Sequence, residues 1–91
     1  MVIIYSAKWC GPCKVAKNIL DSKGINYKEI DIEDENISRQ KLKEITGGYT
    51  VPQIIINNKI IGGYNELLKI EQSGKLEKII NDCWNSKKEN N

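Results

Sequence analysis

Two cysteines stand three positions apart in Trp9-Cys10-Gly11-Pro12-Cys13, close enough for their sulfurs to bridge or to share a metal. The pair begins where a β-branched apolar run ends and a helix-favouring stretch starts. A sulfur at a helix N-terminus faces backbone N–H groups without partners inside the helix, and these favour thiolate over thiol. Cys10 is therefore the expected nucleophile. Cys13, one turn along and facing the core, is placed to attack a mixed disulfide formed at Cys10. Gly11-Pro12 keeps the loop tight, and Pro12 is tolerated in a first turn that does not need its N–H.

The same spacing is also half of a zinc site. Zinc takes four ligands, and the chain offers only Cys83 besides this pair, with no histidine at all. Cys83 falls on an apolar stripe with Leu76, Ile79, Ile80 and Trp84, where a buried, inert thiol is the ordinary expectation. Redox chemistry is favoured over a metal site, and no metal is expected. Thr50-Val51-Pro52 is a second signal. A proline opening a strand can be a mere edge feature. Beside a dithiol, the alternative is a cis bond turning the backbone groups of Val51 toward the sulfurs, ready to pair with an extended thiol peptide. Trp9 reads as a half-exposed apolar lip, and Lys8 and Lys14 as solvated surface charges.

These residues need a scaffold of modest size. The chain has 91 residues, enough for one domain, and a formal net charge of +2 that argues for neither nucleic acid nor an anionic membrane as partner. Met1-Val2-Ile3-Ile4-Tyr5 lacks a basic n-region, and its apolar run is far too short for a membrane span. A cytoplasmic protein is expected, where a close cysteine pair reads as redox or metal chemistry, not as a structural disulfide.

Val2 to Tyr5 reads as a buried strand, followed by a helix from Pro12 with Cys13, Ala16, Ile19 and Leu20 on one face and Gly24 at its end. Tyr27 to Ile32 alternates as a second strand. Asp31, Glu33, Asp34 and Glu35 are expected as a solvated, dipole-matched start to a helix through about Thr46. Val51 to Ile56 and Lys59 to Ile61 flank Asn57-Asn58, an antiparallel hairpin signal. Asn65 is the expected cap of a helix to about Gln72, and a last amphipathic stretch runs through Trp84. The order β-α-β-α-β-β-α predicts an α/β fold, a mixed four-stranded sheet with helices on both faces. Residues 1–85 form the domain and 86–91 a polar tail that frays.

Taken together, the chain resembles the glutaredoxins of the thioredoxin superfamily. Tyr5-Ser6, the paired cysteines, Thr46-Gly47, Thr50-Val51-Pro52-Gln53, Gly62-Gly63, Glu66-Leu67-Leu68 and Gly74-Lys75-Leu76 fall in glutaredoxin order, from Met1 to about Trp84. The resemblance implies a thioredoxin fold of glutaredoxin type, a cis Val51–Pro52 bond and a dithiol–disulfide oxidoreductase. It further implies a glutathione or substrate groove of Lys8, Thr50, Val51, Pro52, Gly63, Tyr64 and Asn65.

The departures are specific. Glutaredoxins usually carry a proline and an aromatic residue between the cysteines, whereas Cys10-Gly11-Pro12-Cys13 is similar to the thioredoxin loop. Yet Ile4 holds the place, six positions before the first cysteine, where thioredoxins bury an aspartate. The lysine expected three positions before that cysteine is Ala7, with Lys8 adjacent. Tyr49 replaces an Arg or Gln, and Asn65 an acidic residue, so charged partners for glutathione are reduced.

The expected activity is reduction of protein or glutathione mixed disulfides, with glutathione or a flavoprotein reductase as donor and disulfide-containing proteins as substrates. The protein is expected to be a monomer. Two alternatives remain: a dimer holding an iron–sulfur cluster through Cys10 and glutathione, and a small thioredoxin recycled by thioredoxin reductase.

Overall fold

The computed structural model describes residues 1–80. Strand β1 (Val2–Ser6) leads through the short loop 7–10 into helix α1 (Gly11–Ser22), and strand β2 (Lys28–Asp31) follows. Helix α2 (Arg39–Thr46), strands β3 (Gln53–Ile56) and β4 (Lys59–Gly62), and helix α3 (Tyr64–Gln72) complete the named elements. The chain is helical again over 76–80. Cys83, Trp84 and the 86–91 tail lie outside the described residues.

The sheet runs β2-β1-β3-β4, with β1 parallel to β2 and the other neighbours antiparallel. The parallel pair follows from the helical crossover through α1, and the antiparallel pair β3–β4 from the two-residue turn Asn57-Asn58. Both turn residues take positive φ, 51° and 68°, which asparagine tolerates better than other non-glycine residues. Strand β3 starts at Gln53, two residues later than the apolar run suggests, because Pro52 has no N–H to give the ladder.

Alternation along the strands divides the apolar residues between two faces. Val2, Ile4, Ile54 and Ile56 pack with Ala16 and Leu20 of α1, Leu67 of α3 and Leu76. On the other face Tyr5, with Ile3 and Ile55 beside it, packs with Leu42 of α2 and Ile32. That second cluster also contains Ala7, Cys10 and Cys13, so the dithiol is anchored in packed core. Leu20 and Leu67 are fully buried, and truncating either to alanine costs about 2–5 kcal/mol.

Two helix starts differ from expectation. The acidic residues do not open α2. Instead, Asp31 Oδ1 accepts the backbone N–H groups of Glu33 and Asp34 at 2.9 and 3.0 Å, and residues 32–36 form a run of turns. Asn36 adopts φ 53°, and Ser38 caps the helix by accepting the Lys41 N–H at 3.0 Å. An aspartate that satisfies its own turn removes the need for a helix there. Likewise Gly63, not Asn65, is the cap of α3. Glu66 reaches back to accept the Gly63 N–H at 2.8 Å, and Asn65 lies inside the first turn.

Candidate active site

The end of β1 delivers the chain to a tight turn in which Cys10 N–H donates to the Ala7 carbonyl at 3.1 Å. Cys10 is then the N-cap of α1, in extended backbone conformation. Its Sγ accepts the backbone N–H of Cys13 at 3.1 Å, the role a serine or aspartate oxygen plays at an ordinary cap. A negative sulfur at this place gains from that N–H and from the positive end of the helix dipole. Cys10 and Cys13 form a disulfide, with Cα atoms 5.2 Å apart. Cys13 is fully buried, and Cys10 is 3% exposed at the mouth of the site.

The Val51–Pro52 bond is cis, as expected from the resemblance, and the Val51 carbonyl oxygen lies 3.5 Å from Cys10 Sγ. Thr50 is exposed, Val51 half-buried and Pro52 buried, giving one edge to the approach. Gly63 flanks it closely: a Cβ there would lie 3.4 Å from the Pro52 carbonyl oxygen. Tyr64 and Asn65 follow Gly63 as the first residues of α3. Val51 thus stands beside Cys10, with Pro52 next to it and Gly63 against Pro52, whereas Tyr64 packs with the Val2, Ile4, Ile54 and Ile56 cluster on the other face of the sheet.

Lys8 is placed differently. Its ammonium pairs with Asp34 at 3.0 Å, in the same run of turns as the Glu33 partner of Trp9, and both side chains are exposed. The hydrogen bond to Asp34, reinforced by its charge and that of Asp31, raises the Lys8 pKa, so the residue stays cationic. Trp9 is more exposed than a half-buried lip, at 60%, and is held from two sides. Its Nε1 donates to Glu33 at 3.0 Å, and the Arg39 guanidinium sits 5.7 Å from the ring centroid.

Arg39 is the residue that sequence reasoning passed over. It also donates from Nη1 to the Tyr49 carbonyl at 2.8 Å, linking Trp9 to the segment before Thr50. The signal was Ser38: a cap there puts Arg39 at the first position of α2, facing the dithiol loop. A polar group unseen in the sequence lies under α1. Ser6, fully buried, donates from Oγ to Glu29 at 2.6 Å, and Lys17 donates to the same carboxylate oxygen at 2.8 Å. The Lys17 and Ser6 hydrogen bonds hold the Glu29 carboxyl below its ordinary pKa.

Among the described residues, no group of three or more His, Cys, Asp or Glu is arranged to hold a metal ion. No helix among them is long and apolar enough to cross a membrane.

Comparison with known proteins agrees with this geometry. The glutaredoxin family model matches residues 2–61. A glutaredoxin of Pseudomonas aeruginosa is 37% identical over 79 residues, covering 87% of this chain and 94% of that protein. The mitochondrial glutaredoxin-2 of mouse is 33% identical over 91 residues, covering 97% of this chain but only 58% of its relative. Among solved structures, the buckwheat glutaredoxin–glutathione complex superposes with a TM-score of 0.81 at 29% identity. It covers 90% of this chain and 77% of the buckwheat one. With its paired cysteines at the head of α1 and this match in sequence and shape, the chain belongs to the glutaredoxin family of thiol–disulfide oxidoreductases.

Proposed function

We propose that Cys10 is the attacking thiol and Cys13 the resolving thiol in the reduction of protein disulfides and protein–glutathione mixed disulfides. The observation that carries this assignment is the 3.1 Å hydrogen bond from the Cys13 N–H to Cys10 Sγ at the head of α1. In the reduced protein the Cys10 thiolate attacks one sulfur of the substrate disulfide. A Cys10–substrate bond forms, the substrate bond breaks, and the departing thiolate takes a proton. Cys13, deprotonated in turn, attacks Cys10 Sγ and releases the second substrate thiol. Two electrons and two protons leave the protein dithiol, and the substrate gains both.

Glutathione is the proposed donor. Two glutathione thiols return the two electrons and become glutathione disulfide. Three features support a tripeptide at this site. The Thr50-Val51 backbone lies beside Cys10 with the Val51 oxygen 3.5 Å from its sulfur, suited to strand-like pairing with the cysteinyl residue. At the start of α3, where Glu66 already takes the Gly63 N–H, Asn65 offers a neutral hydrogen-bonding side chain to one end of the peptide. Arg39, between Trp9 and the Tyr49 carbonyl, offers a cation for the other end of the peptide, where Lys8 is drawn away to Asp34. Such a dithiol works in a reducing compartment, and the cytoplasm is the proposed one. A monomer presents all of these groups on one chain.

A paired turnover assay tests the donor. One arm supplies glutathione, its reductase and NADPH; the other supplies thioredoxin reductase and NADPH. Sustained reduction of a mixed disulfide in the first arm is expected. Turnover confined to the second would transfer the donor role to the flavoprotein.

A further inference from the structure

Strand β3 reads Gln53-Ile54-Ile55-Ile56, and its one polar residue is only 5% exposed. Taking an amide out of water is costly unless its polar atoms find partners, and packing alone would be met by a fourth isoleucine. Gln53 stands opposite Tyr5 in the β1–β3 ladder, so it faces the layer that holds Cys10 and Cys13.

The Gln53 side chain lies under the loop that leads to Val51. Its Nε2 donates to Thr50 Oγ1 at 3.5 Å, and its amide fills the space beside Gly48, where a Cβ would fall 2.5 Å from Nε2. Glycine at position 48 is what lets the amide come so close. The loop is tied from the other side by Thr46, which is also buried. The Thr46 hydroxyl donates to the Leu42 carbonyl at 2.8 Å and accepts the Gly48 N–H at 3.2 Å. Thr46 thus holds the start of this segment to α2, and Gln53 holds its middle to β3. Val51, whose carbonyl oxygen is 3.5 Å from Cys10 Sγ, is the next residue along.

We infer that Gln53 is a positioning residue: from beneath the loop it sets the Thr50-Val51 backbone at the distance from Cys10 that strand-like pairing with a peptidyl disulfide needs. It acts through Thr50 and Val51, not on the sulfurs. A disulfide that carries peptide groups gains from this placement, and one without them does not. The inference rests on the proposed attack by Cys10 and adds no step to that chemistry.

The test is made in Cys13→Ser protein, where the first exchange stops at the Cys10 adduct. The reduced protein is mixed with glutathione disulfide or with bis(2-hydroxyethyl) disulfide, which has no peptide groups. Acid quenching and mass spectrometry give the rate of adduct formation on Cys10. Each variant is scored by its own ratio of the two rates, so a general loss of activity cancels. Gln53→Met keeps the length and removes the amide; it should lower the ratio about fivefold, the effect of one net hydrogen bond, with the bis(2-hydroxyethyl) disulfide rate unchanged. Gly48→Ala keeps the amide but displaces it, and should shift the ratio in the same direction; it carries the test if Gln53→Met does not fold. An unchanged ratio, or two rates that fall in proportion, would overturn the proposal. No adduct with either disulfide before the second substitution would overturn the catalytic reading beneath it, whereas normal adducts with an unchanged ratio would overturn the positioning role alone.

Discussion

The backbone N–H of Cys13 donates to Sγ of Cys10 across 3.1 Å, so the second cysteine serves the first before any chemistry begins. On the proposed assignment, one short segment supplies a nucleophile, a donor that favours its anionic form, and a buried thiol to complete the exchange. A thiolate so placed should have a pKa below the free-thiol value of about 8.5. Rate of alkylation of the reduced protein, followed against pH and mapped by mass spectrometry, should label Cys10 first near neutral pH. Preferential labelling of Cys13 or Cys83 would reassign the nucleophile.

Redox poise should follow the dipeptide between the cysteines. Reported potentials are about −270 mV for thioredoxin and about −200 to −230 mV for glutaredoxins, and a 50 mV gap is roughly 2.3 kcal/mol for two electrons. Gly11-Pro12 lacks the first-position proline of the usual glutaredoxin loop, so less thiolate stabilisation and a more reducing protein are expected. The potential should fall between about −230 and −270 mV. A Cβ at Gly11 meets nothing within 4 Å, and as the first residue of α1 it can be proline, so Gly11→Pro, Pro12→Tyr is the change to make. That variant should be more oxidising. Equilibration with glutathione buffers measures both, and a wild-type value as oxidising as typical glutaredoxins would show that the scaffold outweighs the dipeptide.

The Ser6–Glu29–Lys17 group makes a stability prediction. Glu29 has a depressed pKa in the folded chain, chiefly through Lys17, then Ser6. Its contribution is therefore present above the unfolded-state value of about 4.3 and is lost as pH falls through the lower folded value. Because Glu29 is partly exposed, the ionic part is worth no more than about 1 kcal/mol after screening. Glu29→Ala also strands the buried Ser6 hydroxyl, raising the cost at pH 7 to about 1–3 kcal/mol. Adding Ser6→Ala should recover part of that loss. Urea denaturation at pH 7 and pH 3 would show it. A Glu29→Ala deficit equally large at both pH values would mean that the carboxylate charge plays no part.

The hairpin turn offers a backbone test. Asn58 sits at φ 68°, a conformation glycine adopts without penalty and β-branched residues resist. Asn58→Gly should leave stability within about 0.5 kcal/mol of wild type, and Asn58→Val should cost about 1–2 kcal/mol, read from thermal or urea midpoints. Equal stability of the two variants would show that the turn relaxes to another type.

What could be read from the sequence was whatever local chemistry dictates. The dithiol at a strand–helix junction, the Asn57-Asn58 turn and the alternation that assigns Ile54 and Ile56 to one face all depend on neighbours in the chain. Asp31 misled because an aspartate caps turns as well as helices, and only the competing cap at Ser38 decides between them. Asn65 misled for a related reason: Glu66 can bond the Gly63 N–H, and a glycine then suffices as cap. Arg39 over Trp9, Lys8 on Asp34 and Ser6 on Glu29 join residues more than twenty positions apart. Their partners are set by the parallel β1–β2 register and by the place of α2 against the sheet, which no local pattern encodes.

Trapping the covalent intermediate tests the central assignment most directly. Cys13→Ser retains the nucleophile and removes the thiol that resolves it. Reacted with a glutathionylated peptide and analysed by mass spectrometry, this variant should accumulate a single mixed disulfide, located on Cys10. Cys10→Ser should form none and show no turnover. An adduct on Cys83, or sustained turnover by Cys10→Ser, would contradict the account.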